Sequence, residues 1–239
     1  MDQDAPFDLS LTEEQRITRE SMQRYARDVL REQARDADEK GATPSDFLER
    51  AGELGLTLLP IPEDAGGAGM ERSPVANMLN IEDLAWGDFS LALAMVTPRA
   101  FVNAVLDFGT QEQQKRFLEP LARDHFVPAT VALMEGGATF EPSQLSTRAR
   151  KTGNGYQIDG EKRLVPLGAS AEQMLVIADL EGEGPAAFVV EQGSTGLRTD
   201  EQTYMGLRAL ETATVRLDGV TVPAENRLVD FDLQRLVDL

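Results

Sequence analysis

The chain has 239 residues, 41% of them hydrophobic, enough to build a large domain or two smaller ones with true cores. A net charge of −18 and a pI near 4.4 argue against nucleic acid or an anionic membrane as partner, since both are recognised by clustered Lys and Arg. With no cysteine, disulfides, thiolate metal sites and cysteine nucleophiles are excluded. The single histidine, His125, reads as a surface residue closing a helix rather than a catalytic base. The opening MDQDAPFDLS lacks the basic and apolar regions of a signal peptide. No apolar run is read as approaching the roughly 18 residues of a membrane helix. The expectation is a soluble, cytoplasmic protein.

The first half reads as helices. Thr12 with Gln15 has the spacing of a capping box, and Ile17, Met22, Tyr25 and Val29 follow at helical intervals until Gly41. Thr43, with Pro44 at the first helical position, is expected to cap a second helix that Gly55 closes. The stretch LLPIPEDAGGAGM is a Pro- and Gly-rich loop. Ser73-Pro74 opens a helix through Trp86. Another is predicted over Ser90 to Phe108, distorted at Pro98. Gly109 ends it, and Thr110 with Gln113 forms a second capping box before Phe117, Leu118 and Leu121.

From Phe126 the pattern shortens to alternating, β-branched runs: FVPATVAL, LSTRARK, GYQIDGEKRLV, QMLVIAD, AAFVVEQ and ATVRLDGVTV. Asn154-Gly155 and Asp218-Gly219 read as hairpin turns, and strands following one another without helices predict a mostly antiparallel sheet. The fold class is therefore α+β. A helical bundle domain over 1–125 is followed by an antiparallel β-barrel or sandwich-like domain over 126–230. Residues 231–239 read as the start of a helix that stops short, with Asp232 as its cap and Leu233, Leu236 and Val237 on one face.

The stretch ALMEGGATFEPSQLSTRA places an acidic residue and a glycine pair just after a predicted strand. A capped helix precedes it, in FGTQEQQKRFLEPLARDHFVPATVALMEGGA. YQIDGEKRLVPLGASAEQMLVIA and MGLRALETATVRLDGVTVPAENRL follow. In order, spacing and residue types these stretches, together with IPEDAGGAGM, resemble the acyl-CoA dehydrogenase family over essentially the whole chain. The resemblance implies an FAD-dependent oxidoreductase that desaturates an acyl-CoA thioester. It also implies a helical N-terminal domain, a β middle domain and a helical C-terminal domain that these 239 residues do not contain.

In that family a Thr-Glu-Pro-x-Ala-Gly-Ser-Asp loop and a Trp-Ile-Thr strand form the flavin wall. The resemblance therefore assigns cofactor contacts to Val131, Leu133, Met134, Thr139, Phe140, Leu164, Val165 and Pro166, and a substrate contact to Phe140. Several of these residues depart from the pattern. Met134 and Pro166 replace threonines and cannot give hydroxyl hydrogen bonds. Leu164 replaces Trp, and Phe140 puts bulk where a Ser is usual. FAD is thus expected to bind weakly or not at all. Gln234, in DLQRL, stands where one branch of the family has a catalytic Glu, and an amide is no base at ordinary pH, so no catalytic residue is assigned. Glu135 reads as a residue that structures its loop, Arg208 as one side of an ion pair in the β domain, and Lys162 as a residue on a solvated strand face. The chain is expected to act on an acyl-CoA as part of a homo- or hetro-oligomer with an acyl-CoA dehydrogenase-type chain, passing electrons to an electron-transfer flavoprotein or similar acceptor. The alternative is a non-catalytic partner subunit.

Overall fold

The computed structural model describes residues 10–44, 46–123, 125–137 and 139–238. Helix α1 (Glu13–Tyr25) opens on the expected capping box. Thr12 Oγ1 accepts from the Gln15 N–H at 3.1 Å, and Gln15 Oε1 accepts from the Thr12 N–H at 3.0 Å. The rod continues through a π-helical turn, Ala26–Leu30, into α2 (Arg31–Lys40), which stops at Gly41 in the left-handed conformation. Met22 and Leu30 are buried and Tyr25 and Val29 half-buried, but Ile17 faces outward. The wide turn sits where α4 (Pro74–Gly87) crosses it. A Cβ on Gly87 would lie 2.7 Å from the Ala26 carbonyl oxygen and 2.8 Å from Leu30 Cβ, so only glycine allows this approach.

The second helix, α3 (Phe47–Gly52), is shorter than the sequence implies, and Gly55 lies beyond its end. Thr43 does not cap it. Its hydroxyl instead donates to the Ala209 carbonyl at 2.6 Å, a tie to the β half that local pattern cannot reveal. Ser73 caps α4 through Ala76 N–H, and Asp88 caps α5 (Phe89–Phe108) through Leu91 N–H. Helix α5 runs through Pro98. Contrary to the expectation that no apolar run approaches the length of a membrane helix, it has the length and composition of a membrane-crossing helix, with mean hydropathy 1.5. Most of α5 is buried against the rest of the fold, so it is read as a core helix. The second capping box starts α6 (Gln111–Leu118). Gln113 Nε2 also donates to the carbonyls of Glu225 and Arg227, at 2.9 and 2.6 Å. His125 is exposed in the connection after α6, past the helix end.

The second half is one curled sheet of seven strands: β1 (Ala129–Ala132), β2 (Arg148–Thr152), β3 (Gly155–Pro166), β4 (Gln173–Leu180), β5 (Gly184–Glu191), β6 (Leu197–Glu201) and β7 (Thr212–Pro223). Its order is β1-β4-β2-β3-β7-β6, with β5 on the other edge of β4. The sheet is mostly antiparallel, as expected: four of its six strand pairings are antiparallel, and both parallel ones involve β4. β1 and β2 lie end to end along one edge of β4, both parallel to it. Alternate side chains of β4 explain its near-total burial. Leu175 and Ile177 join Phe101, Val105 and Phe117 of the helical layer, while Met174, Val176 and Ala178 meet Ile158, Val215 and Val220 inside the curl.

The β2–β3 hairpin forms with Gly153-Asn154 as its turn, one residue earlier than expected. Asp218-Gly219 is not a hairpin. It lies inside β7, where pairing shifts between Ile158↔Val220 and Gly160↔Leu217, and Gly219 (φ 65) donates its N–H to Asp159 Oδ1 at 2.8 Å. Left-handed turn chemistry here makes a bulge. A second bulge follows between Lys162↔Val215 and Val165↔Ala213, with Leu164 at φ 53.

Lys162 is not on a solvated face. It is fully buried, and its Nζ donates to Glu135 Oε1 at 2.7 Å and to the Leu133 carbonyl at 3.1 Å. Glu135 also accepts the N–H groups of Ser146 and Thr147, at 2.5 and 3.0 Å. Among the described residues this is the one ion pair with both side chains buried. Burial alone would raise the Glu135 carboxyl. The Lys162 ammonium and the hydrogen bonds from Ser146 and Thr147 more than reverse this and hold it at about 2. Lys162 is held below its ordinary range, because burial outweighs the pull of the carboxylate. The pair therefore adds less to stability than the Glu135 shift alone suggests, and its main effect is to fix where the loop lies.

Replacing Lys162 by Met should destabilise the fold by about 3 kcal/mol in urea denaturation, because it strands a buried carboxylate. The Glu135 carboxyl sits below its unfolded value, so between about pH 2 and pH 4.5 the unfolded chain binds more protons than the folded one. The stability advantage of the wild type over Glu135→Gln/Lys162→Met should therefore grow as pH rises from 2 to 5 and then level off. A constant difference over that range would show that the pair does not couple to folding. Gly87→Ala should cost about 1–3 kcal/mol by the overpacking it forces on the π turn, read as a lower thermal midpoint.

Candidate functional site

The glycine loop leaves β1 and runs beside the second bulge of β3. The Arg163 N–H donates to the Met134 carbonyl at 2.8 Å, and Lys162 holds the carbonyl of Leu133. This brings Met134, 39% exposed, and Leu164, 43% exposed, to one rim as a nonpolar shelf. Leu164 reaches outward because the bulge places it in the left-handed conformation. The Arg163 guanidinium, paired with Glu161, lies over Gly136, with Nε 3.0 Å from where a Cβ would sit.

The other residues assigned from the resemblance are dispersed. Val131 and Leu133 are half-buried and line a cleft of about 460 Å³ between β1, α4, α5 and α7 (Leu233–Asp238). Val165 is buried inside the curl. Pro166 is half-buried and pairs with Thr212. Thr139 is exposed on the loop, and Phe140 packs half-buried against the core beneath the helices.

The loop and strand carry no side-chain hydroxyl at Met134, Leu164 or Pro166, and Pro166 has no backbone N–H to offer. These residues fit the face of a flat ring by contact alone. They do not fit the hydrogen-bonded hold on FAD that the family pattern describes. Glu135 is fully engaged by Lys162 and two backbone N–H groups, as expected of a loop-structuring residue, and is not free as a base. Arg208 is exposed and has no ion-pair partner among the described residues, contrary to expectation. Gln234 is exposed and donates to Asp238. Asp232 does cap α7, which docks through Leu233 and Leu236 on the core while Val237 stays exposed.

The sequence reading missed the polar residues of the cleft. Val96, Arg99, Ala100 and Asn103 lie at i, i+3, i+4 and i+7 on α5 and face the cleft together. Arg99 is only 8% exposed, and its guanidinium donates to Asn77 Oδ1 at 2.5 Å. A charged residue one turn from Val96 within an apolar helix was the available signal.

Comparison with known proteins identifies the framework that carries these residues. Residues 12–125 match the family model described as acyl-CoA dehydrogenase, N-terminal domain, and residues 130–220 match acyl-CoA dehydrogenase, middle domain. A probable medium-chain specific acyl-CoA dehydrogenase of Caenorhabditis briggsae is 30% identical over 236 residues, 95% of this chain and 57% of that protein. A probable acyl-CoA dehydrogenase of Bacillus subtilis (strain 168) is 30% identical over 230 residues, 94% of this chain and 60% of that protein. The structure superposes on butyryl-CoA dehydrogenase from Megasphaera elsdenii with a TM-score of 0.83 at 26% identity, covering 93% of this chain and 60% of that one. On a glutaryl-CoA dehydrogenase from Mycobacterium smegmatis the TM-score is 0.83 at 28% identity, covering 95% of this chain and 59% of that one. The chain thus spans three-fifths or less of these relatives' lengths, 57–60%. Both domain matches fall in the order the fold displays, and the chain belongs to the acyl-CoA dehydrogenase family.

Proposed function

We propose that this chain serves the FAD-dependent α,β-oxidation of an acyl-CoA by supplying the acyl-group cleft and one wall of the flavin site within a larger assembly. The observation that carries this reading is the cleft of about 460 Å³ between α4, α5, β1 and α7, which is lined by Val131 and Leu133, two of the residues the resemblance assigns to the site, and has no carboxylate in its lining. Val131 and Leu133 would flank the acyl chain, and the half-buried position of both suits contact with a nonpolar ligand. FAD, when bound, supplies the hydride acceptor. Glu135 is committed to Lys162 and two backbone N–H groups, so it is not the base that removes the α-proton. On this reading the chain works with an acyl-CoA dehydrogenase-type partner, and an electron-transfer flavoprotein or similar protein takes the electrons. The losses at Met134, Leu164 and Pro166 favour a second reading, a partner subunit that positions acyl-CoA without turning it over.

The purified chain should retain well under one FAD per polypeptide by its visible absorbance. It should not dehydrogenate butyryl-CoA or octanoyl-CoA with ferrocenium as acceptor. Met134→Thr/Pro166→Thr should restore two hydroxyls and strengthen FAD binding roughly tenfold or more, from about 0.5–1.5 kcal/mol per hydrogen bond. Stoichiometric FAD with turnover by the unaltered chain would overturn the incomplete-site reading. Turnover only after co-purification with a homologous chain would favour the assembly over the non-catalytic partner.

A further inference from the structure

We propose that the acyl group taken by this cleft carries a carboxylate at the end away from its thioester, and that Arg99 pairs with it. The inference rests on the acyl-CoA reading above and names the substrate class of that same site.

Arg99 is the cleft's one cation, and no carboxylate pairs with it among the described residues. Its guanidinium has five N–H groups, and only the bond to Asn77 is made. Burial pushes it below its ordinary range, the expected sign of a cation without a compensating charge. Asn103, one turn further along the same face, has a buried Oδ1 without a hydrogen-bond partner. A buried guanidinium with most of its N–H groups unpaired is costly in a nonpolar cleft unless a ligand completes it, and a carboxylate does so. Val131 and Leu133 line the same cleft as Arg99, so an acyl chain lying along them would have its far end within reach of α5. A planar, singly charged group of carboxylate size matches the fork of a guanidinium, and the Asn103 amide can offer its N–H₂ to the same group. The phosphates of coenzyme A are a poorer match, since they sit on a large polar moiety unsuited to a cleft of about 460 Å³ walled by Val96, Val131 and Leu133.

Two thioesters of equal chain length separate the outcomes: adipoyl-CoA and hexanoyl-CoA, titrated calorimetrically into the 239-residue chain and into Arg99→Met and Arg99→Lys. Adipoyl-CoA should bind the unaltered chain at least tenfold more tightly than hexanoyl-CoA. Arg99→Met should abolish that preference while leaving hexanoyl-CoA within threefold, and Arg99→Lys should keep part of it. Without ligand, Arg99→Met should raise the thermal midpoint, because it removes an unpaired buried charge, whereas a structural arginine would give a lower midpoint. Equal binding of the two thioesters, or a preference that survives Arg99→Met, overturns the proposal, as does tighter binding of 6-hydroxyhexanoyl-CoA than of adipoyl-CoA. Binding of hexanoyl-CoA alone leaves the acyl-CoA reading standing and removes only the carboxylate. Binding of no thioester by any variant removes both.

Discussion

A lysine ammonium buried on β3 meets a glutamate at the end of β1, and the site's geometry follows from that meeting. Neither charge can leave without stranding the other in a nonpolar interior. The Glu135 carboxylate also collects the N–H groups of Ser146 and Thr147, where the loop returns to the sheet. One pair of side chains thus fixes both ends of the glycine loop and the strand beside it. The bulge after Lys162 then turns Leu164 outward next to Met134. The same constraint commits the loop's acidic residue to structure, which sends the search for a proton acceptor elsewhere.

Around this anchor the fold separates framework from chemistry. The helical layer and the curled sheet share β4, which feeds alternate side chains to each. Polar ties join the two halves at several points, including Thr43 to Ala209 and Gln113 to the chain near Glu225. The framework is that of the family, while the side chains of Met134, Leu164 and Pro166 offer no hydrogen-bond donor. Arg99 introduces polarity into a wall that is otherwise largely nonpolar.

Much of this was legible in the sequence where the physics is local. Capping boxes at Thr12 and Thr110, the Ser73-Pro74 start, the stop at Gly41 and the β2–β3 hairpin all depend on neighbouring residues, and all formed. The failures involve partners distant in sequence. Lys162 was placed in solvent because of its charge, although Ile158, Gly160 and Lys162 share one strand parity and the first of these is plainly a core residue. Thr43 was given a helix to cap when its acceptor lay in the β half. Asp218-Gly219 has the backbone preference of both a hairpin turn and a bulge, and only the pairing with β3 decides between them. Arg99 was not legible because a lone charge in an apolar helix does not show locally whether it meets solvent or a cleft.

The placement of β1 and β2 end to end on β4 has a further consequence. Ala132 pairs with Val176 and Arg148 with Asp179, so the two anchor points of the intervening loop are three residues apart on one strand, about 10 Å. The excursion is tied to its neighbours near its ends, where the carbonyls of Met134 and Thr147 accept from the N–H groups of Arg163 and Asp179, and no strand pairing is made by the described residues between them. Substitution at residues 139–144 removes no bond of the ladder, whereas a shift of the backbone at Met134 or Thr147 does. The part of the chain closest to the candidate chemistry is therefore the part whose variation the sheet tolerates most readily, provided that Glu135 keeps its lysine.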